Sequence, residues 1–231
     1  MENEEKVFLQ IIGSSGNRIT LLKRELKEYI EHNKHEFTKE IGRRAQGNPL
    51  KAYESMLEVH DEVIDRIEDD CNIKSCCNKG CVECCYQAIY VNNLEANIIL
   101  DAIDKLDDYQ RELIRNKSLE NMIIIQENSI SLQLLETDDE SLIQNKYLKL
   151  NLSCPLLGEN NSCMIYKNRP SVCQRYRNYG APNDCKGQIS KDAYAFSELQ
   201  LEQAAIEQII GGDSKIDKRF ILLSALLVKE L

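Results

Sequence analysis

The stretch CCNKGCVECC, residues 76–85, places five cysteines within ten residues. A buried cysteine packs as one small hydrophobe and needs no neighbours of its own kind, so core packing alone does not explain this density. A second cysteine segment, residues 154–185, carries four more thiols. The sequence therefore predicts that the cysteines bind a metal ion or a cluster. Structural disulfides and scattered reduced core cysteines are the two alternatives.

Length and composition favour a reduced metal-binding protein over a disulfide scaffold. The chain has 231 residues, of which 42% are hydrophobic, so it can form one sizeable core without disulfide cross-links. Disulfide-dense domains are short secreted chains. The beginning, MENEEKVFLQ, is acidic and lacks the apolar run of a signal peptide, and no apolar stretch is long enough for a membrane span. We therefore expect a cytoplasmic protein without membrane association, whose clustered cysteines are metal ligands or redox groups.

The charge distribution argues against nucleic acid and points to one basic segment. The net charge is −9, whereas non-specific binding to a phosphate backbone comes mainly from lysines and arginines. Residues 166–177, YKNRPSVCQRYR, carry four basic residues and no acidic one. Within this segment Arg169 and Arg175 are candidate cofactor-binding residues, because their charge would offset that of thiolates through hydrogen bonds to sulfur. An ordinary solvated loop is the alternative for both arginines.

Apolar residues recur at helical spacing through most of the chain. They predict a helical hairpin, whose two helices are separated by the breakers Gly47, Asn48 and Pro49. A short extended piece is expected at 88–91. Further helices are expected from Leu94 onward, over 113–135, over 194–210 and over 216–231. The fold is thus predicted to be mainly α, a helical bundle with two irregular cysteine-rich metal-binding loops.

Three regions follow from this pattern. Residues 1–70 are predicted to form a helical hairpin extension, residues 71–190 the cysteine-cluster metal-binding domain, and residues 191–231 C-terminal helices that pack on it. His32 and His35 are expected on a solvated helix face, and His60 is expected in the seam of the hairpin.

Paired cysteine hooks are a common way to build a four-coordinate thiolate site. Neighbouring side chains diverge in helical and extended backbone alike, so one of Cys84 and Cys85 is expected to face a second metal, a substrate or the core. Cys71 and Cys76 lie outside the tightest pattern and are expected to be non-ligands. The predicted metal ligands are Cys77, Cys81, Cys84, Cys85, Cys154, Cys163, Cys173 and Cys185.

These motifs resemble a known family. The spacing Cys77-x3-Cys81-x2-Cys84-Cys85, then Cys-Pro-Leu-Leu from Cys154, then Cys-Met-Ile-Tyr-Lys-Asn-Arg-Pro-Ser-Val-Cys from Cys163 to Cys173, is similar to the YkgJ-type cysteine-cluster proteins. The resemblance covers residues 77–185. Val82 and Glu83 stand where the family usually has a Gly-Ala-like pair.

The resemblance implies a domain that chelates zinc or iron, with an iron–sulfur cluster as a further cofactor. Because a flagellin lysine N-methylase shares the cysteine motif, an iron–sulfur oxidoreductase or a protein lysine N-methylase-like enzyme is one alternative. The other is a helical interaction protein that the metal merely staples and that binds an unknown protein partner. The first hook also has the spacing of radical S-adenosylmethionine enzymes, but the strand-helix alternation of a barrel and a glycine-rich cofactor stretch are missing.

Overall fold

A computed structural model describes residues 15–78, 80–134, 139–190, 192–195 and 220–231. These residues fall into two compact units. Of the described residues, the first unit contains 15–77, 174–184, 190 and 192–195. The second unit contains 78, 80–134, 139–173, 185–189 and 220–231. The described part of the chain is mainly helical with little sheet, as the apolar periodicity predicted.

A helical hairpin dominates the first unit. Helix α1 spans Ser15–Ala45 and helix α2 spans Pro49–Asp70. The chain reverses at Gly47, whose φ of +75° is accessible to glycine at little steric cost. Proline at the first position of α2 has no amide hydrogen that the helix would leave unsatisfied. The two helices pack together, and His60 is buried, as predicted.

A two-stranded sheet completes the described part of the first unit. Strands β3, Tyr176–Asn178, and β4, Ala193–Ala195, pair antiparallel. The side chain of Asn178 is fully buried, and the hydroxyl of Tyr179 donates a 2.9 Å hydrogen bond to the buried carboxylate of Glu68.

The second unit is a small α+β arrangement. Its longer helices are α3 (Asn93–Asp104), α4 (Asp108–Glu127), α5 (Glu140–Leu150) and α7 (Leu223–Glu230). Strands β1 (Tyr90–Val91) and β2 (Gln133–Leu134) each pair antiparallel with the central strand β5 (Phe220–Leu222). Helix α7 packs on α4, and the core between the elements is built from aliphatic residues such as Ile99, Ile103, Ile114, Leu223 and Leu227.

Side-chain caps fix where α3, α4 and α5 begin. Asn92 and Glu95 form a capping box at α3, and Asp107 and Gln110 form one at α4. Asp139 accepts a hydrogen bond from the amide of Leu142 at the start of α5. These caps satisfy amide groups that would otherwise lack partners in the first helical turn.

The C-terminal segment differs from the prediction. Residues 220–222, expected within a final helix, form the central strand β5, and α7 begins only at Leu223. Tyr194, expected to begin a helix, lies in β4. An apolar run such as FILLSALL is compatible with a helix or a strand when only its own sequence is considered. Residues 220–222 form a strand because they pair with β1 and β2. Residues 196–219, which include the rest of the predicted helix over 194–210, lie outside the described residues. No helix among the described residues has the length and apolarity of a membrane span.

Candidate metal centre

The first cysteine loop of the second unit is a tight turn. Gly80 has a φ of +94°, a conformation that an L side chain rarely adopts. The amide of Cys81 donates to the carbonyl of Asn78 at 2.9 Å. A 3₁₀ turn, Glu83–Tyr86, then carries Cys84 and Cys85. This geometry presents three thiols within one short segment.

The second loop contributes a hairpin. Leu157 and Cys163 form a β-bridge, and the amide of Met164 donates to the carbonyl of Leu156 at 2.9 Å. At the tip, Asn161 has a φ of +57°, which asparagine tolerates better than most residues. The hairpin therefore brings Cys154, which precedes one side of it, near Cys163.

Cys173 comes from helix α6, Ser171–Arg175, whose start is tied to α3. The amide of Ser171 donates a 2.8 Å hydrogen bond to Glu95 Oε1, while Glu95 Oε2 accepts from the amide of Asn92 in the α3 capping box. Glu95 is only 3% exposed. One buried carboxylate thus positions both the start of α3 and the turn that presents Cys173.

The two cysteine loops meet through the backbone. The amide of Cys154 donates to the carbonyl of Cys85 at 2.6 Å. Six thiols lie close enough for charge on some to raise the pKa of others, and we call them the central cysteine cluster: Cys81, Cys84, Cys85, Cys154, Cys163 and Cys173. All six belong to the second unit. Cys84 and Cys85 are both within this electrostatic reach of Cys173, although they are neighbours in sequence.

Burial is the main cause of the raised thiol pKa values in the central cysteine cluster. It raises the pKa of Cys154 to about 12 and that of Cys173 well above the usual value. It also raises the pKa of Cys85, and the neighbouring thiols Cys154 and Cys84 raise that pKa further. Buried thiolates without a compensating cation are therefore unfavourable in this cluster.

Two basic side chains and three backbone amides oppose this effect. The backbone amides of Leu156 and Leu157 lower the pKa of the Cys154 thiol, and Lys117 lowers it electrostatically. The Lys117 ammonium also donates to the carbonyl of Leu157 at 2.6 Å. At Cys163 burial raises the pKa, while the amide of Ile165 and the charge of Arg169 lower it. Hydrogen bonds and positive charge of this kind surround thiolate metal sites.

Arg169 is held in place by its own neighbours. Its guanidinium lies over the Tyr166 ring at 4.1 Å from the centroid, and it donates to the Tyr166 carbonyl at 3.1 Å. Its charge lowers the pKa of the Cys163 thiol, and the hydrogen bond to sulfur that the sequence predicts for it stays a prediction. Arg175, predicted alongside it, lies in the first unit.

All ten cysteines lie among the described residues, and none forms a disulfide. Cys81 is exposed, whereas the other five members of the central cysteine cluster are partly buried. No group of three or more His, Cys, Asp or Glu side chains in the described part of the chain is already arranged to hold a metal ion. The thiols of the cluster are therefore neighbours that would have to close further around an ion.

The remaining four cysteines are not members of the central cysteine cluster as defined above. Cys185 is buried in the second unit, at the end of a 3₁₀ turn. Cys71, Cys76 and Cys77 belong to the first unit, where Cys71 is buried. Asn178 donates hydrogen bonds to the sulfurs of both Cys76 and Cys77 at 3.3 Å.

Sequence reasoning missed three polar residues around these thiols. Lys117 and Glu95 lie on helices far in sequence from the thiols they influence, and Asn178 lies about a hundred residues from Cys76 and Cys77. None of the three belongs to a local motif.

A mainly helical chain in which two loops bring six cysteines together defines a cysteine-cluster protein of the metal-chelating class. The family model CxxCxxCC, described as a "Putative zinc- or iron-chelating domain", matches residues 76–198, which is more than half of the chain. The chain belongs to this family, as the cysteine motifs indicated. No curated protein and no solved structure matches it.

Proposed function

We propose that this protein chelates zinc or iron through the central cysteine cluster. The observation that carries the proposal is the 2.6 Å hydrogen bond from the Cys154 amide to the Cys85 carbonyl, which joins the two cysteine loops beside their thiols. Thiolates are ligands for both zinc and iron. A bound cation would offset the thiolate charge that burial disfavours, with Lys117 and Arg169 offsetting the remainder. A cytosolic location, predicted from the sequence, would keep the thiols reduced.

The number of thiols bears on what is bound. A structural zinc site uses four ligands, whereas the central cysteine cluster contains six. Six thiols suit either two ions that share sulfurs or one iron–sulfur cluster with thiols to spare. Cys77 and Cys185 remain predicted ligands on the basis of the sequence motif. The proposal for the central cysteine cluster does not depend on them.

Metal content per chain tests the proposal. Protein purified without oxygen is expected to contain zinc or iron, and Cys154→Ser should lower that content strongly because a serine hydroxyl is a hard, protonated ligand. Cys71→Ser is the matched control, since Cys71 is a buried cysteine outside the central cysteine cluster. Parent protein without either metal, or equal metal losses in both variants, would refute the proposal.

An iron–sulfur oxidoreductase is the second candidate, favoured by the exposure of Cys81. A cluster that reaches the surface has a side from which a substrate or electron partner can approach, as in metal sites that keep an open position. The absorption spectrum of the anaerobic protein decides between the candidates. A visible charge-transfer band that bleaches with dithionite supports the oxidoreductase, and a colourless zinc protein rules it out.

A further inference from the structure

Two carboxylates of the first unit, those of Asp184 and Asp192, converge on Gly180, and we call them the aspartate pair. A Cβ atom at position 180 would lie 2.6 Å from Asp184 Oδ2 and 2.8 Å from Asp192 Oδ2, so only glycine leaves room for both. Two oxygens this close to one point can be no further apart than the two distances combined. A cation with metal–oxygen bonds of about 2.3–2.6 Å can bridge oxygens at such a separation. The aspartate pair is therefore close enough to share one ion.

Asp192 is the buried member of the aspartate pair, with only 6% of the residue exposed. Its main chain is well bonded, because its carbonyl accepts from the Tyr179 amide at 2.9 Å and its amide donates to Ser190 Oγ at 3.1 Å. Within the described residues, no group donates a hydrogen bond to its carboxylate. A buried carboxylate is unfavourable unless a hydrogen bond or an opposite charge compensates it. The surroundings of Asp192 therefore favour a bound cation.

Hydrogen bonds fix the turn that carries the other carboxylate. Asp184 Oδ2 accepts from the Ala181 amide at 2.8 Å, and the Asp184 amide donates to the Ala181 carbonyl at 3.0 Å. The fully buried side chain of Asn178 donates to the same carbonyl at 2.9 Å, and its Oδ1 accepts from the Gly180 amide at 3.2 Å. The backbone around Gly180 is thus held in the shape that lets both carboxylates approach it.

We propose that the aspartate pair binds one hard divalent cation, Ca²⁺ or Mg²⁺. Carboxylate oxygen is a preferred ligand of both ions, whereas thiolate sulfur suits softer ions. Two carboxylates balance the charge of one divalent ion. Both ions also accept backbone carbonyls and water as ligands, so no third acidic side chain is needed. This agrees with the described residues, in which no three His, Cys, Asp or Glu side chains are arranged to hold a metal.

The bound ion would tie two segments of the first unit together. Asp184 lies in the 3₁₀ turn Pro182–Cys185, and Asp192 immediately precedes strand β4. Asp184 is only partly buried, so an ion and its water ligands can enter from its side. Because its ligands are oxygens, this site goes beyond the chelation of zinc or iron by the thiols of the central cysteine cluster.

Equilibrium dialysis of the full-length protein, loaded with its zinc or iron, tests the site. Dialysis against Ca²⁺ and, separately, against Mg²⁺ is expected to show one bound equivalent of at least one of the two ions. Asp192→Asn and Asp184→Asn keep the side-chain shape and remove one charge each, so each should weaken this binding by about 10-fold or more. Asp65→Asn is the matched control, because it removes the same charge from an exposed position on α2 in the same unit.

Thermal unfolding gives a second readout. The ion that binds should raise the unfolding temperature of the parent and of Asp65→Asn, but not that of Asp192→Asn. Zinc or iron content should be the same in all four proteins. If Asp192→Asn does not fold, Asp184→Asn decides the proposal, because its side chain is less buried.

Three results would overturn the site. The first is a parent that shows no saturable binding of either ion up to about 10 mM, which is above the range of weak calcium modules. The second is parental binding in both variants of the aspartate pair, or an equal loss in Asp65→Asn. The third is loss of zinc or iron in Asp192→Asn, which would assign the aspartate pair to the zinc or iron site. A parent without zinc or iron would instead refute the proposed function and leave the comparison of Ca²⁺ and Mg²⁺ binding intact.

Discussion

Lys117 is the basic residue that most directly links charge and backbone at the candidate metal centre. Its ammonium donates to the Leu157 carbonyl at 2.6 Å and lowers the pKa of the Cys154 thiol. It therefore both holds the Cys-Pro-Leu-Leu turn and offsets thiolate charge. A residue with these two effects belongs to the surroundings that tune a metal site rather than to its ligands.

Lys117→Met is expected to speed the loss of metal to an added chelator by about 10-fold or more, because neutral methionine restores neither the charge nor the hydrogen bond. The rate of metal loss in Lys117→Arg should lie between the rates of Lys117→Met and the parent, since arginine keeps the charge but not the hydrogen-bond geometry. Lys105→Met is the control, as Lys105 is exposed and pairs with Asp101. A parental rate of metal loss in Lys117→Met would show that Lys117 has no such role.

Cys71 gives a prediction on pH that does not involve the predicted ligands. Burial raises the pKa of its thiol to about 11 from an ordinary 9.0, so folding favours the protonated thiol. The contribution of the Cys71 thiol to the free energy of unfolding is therefore fully present below about pH 9 and is lost as the pH rises towards about 11. Urea unfolding of the parent and of Cys71→Ala across this range should therefore show the parent losing its advantage. A constant difference in the free energy of unfolding would contradict the raised pKa.

At the scale of elements, sequence reasoning succeeded where the signal was local. The apolar spacing and the breakers at 47–49 predicted a second hairpin helix within 1–70, which the structure places at Pro49–Asp70, and the residues around Tyr90 were correctly predicted as extended. It failed for β5, because the run FIL is compatible with helix until its two strand partners are known. It also failed for β2, since Gln133 and Leu134 lie within the helix predicted over 113–135 but pair with β5. The contacts of Glu95, Lys117 and Asn178 with distant residues likewise arise only from tertiary packing.

Glu95 couples a helix start to the presentation of a predicted ligand. Glu95→Ala removes the acceptor for the Ser171 amide and half of the α3 capping box, so we expect a loss of about 1–3 kcal/mol in the free energy of unfolding. Metal content should fall too, because α6 carries Cys173. Asp107→Ala, at the exposed capping box of α4, should cost about 0.5–2 kcal/mol with metal retained. Equal metal contents in the two variants would contradict the coupling.

The two units of the whole molecule should respond differently to metal removal. The hairpin of α1 and α2 has an apolar seam of its own, with Leu22, Ile41, Ile64 and Ile67 almost fully buried. The loops of the central cysteine cluster combine turns and hydrogen bonds with a few core residues of their own, Leu156 and Ile165. Binding energy at a thiolate site is partly folding energy, so removing the ion should loosen those loops first.

Hydrogen exchange measured before and after chelation tests this difference. The amides of Cys85, Cys154 and Cys173 are expected to lose protection when the metal is stripped, because their hydrogen bonds lie within the turns that the ion would hold together. Amides in the middle of α1 and α2 should keep theirs, and returning zinc or iron should restore protection in the loops. Unchanged exchange at Cys154 would show that the metal does not order the loops, and equal loss throughout the hairpin would show that metal supports the fold as a whole.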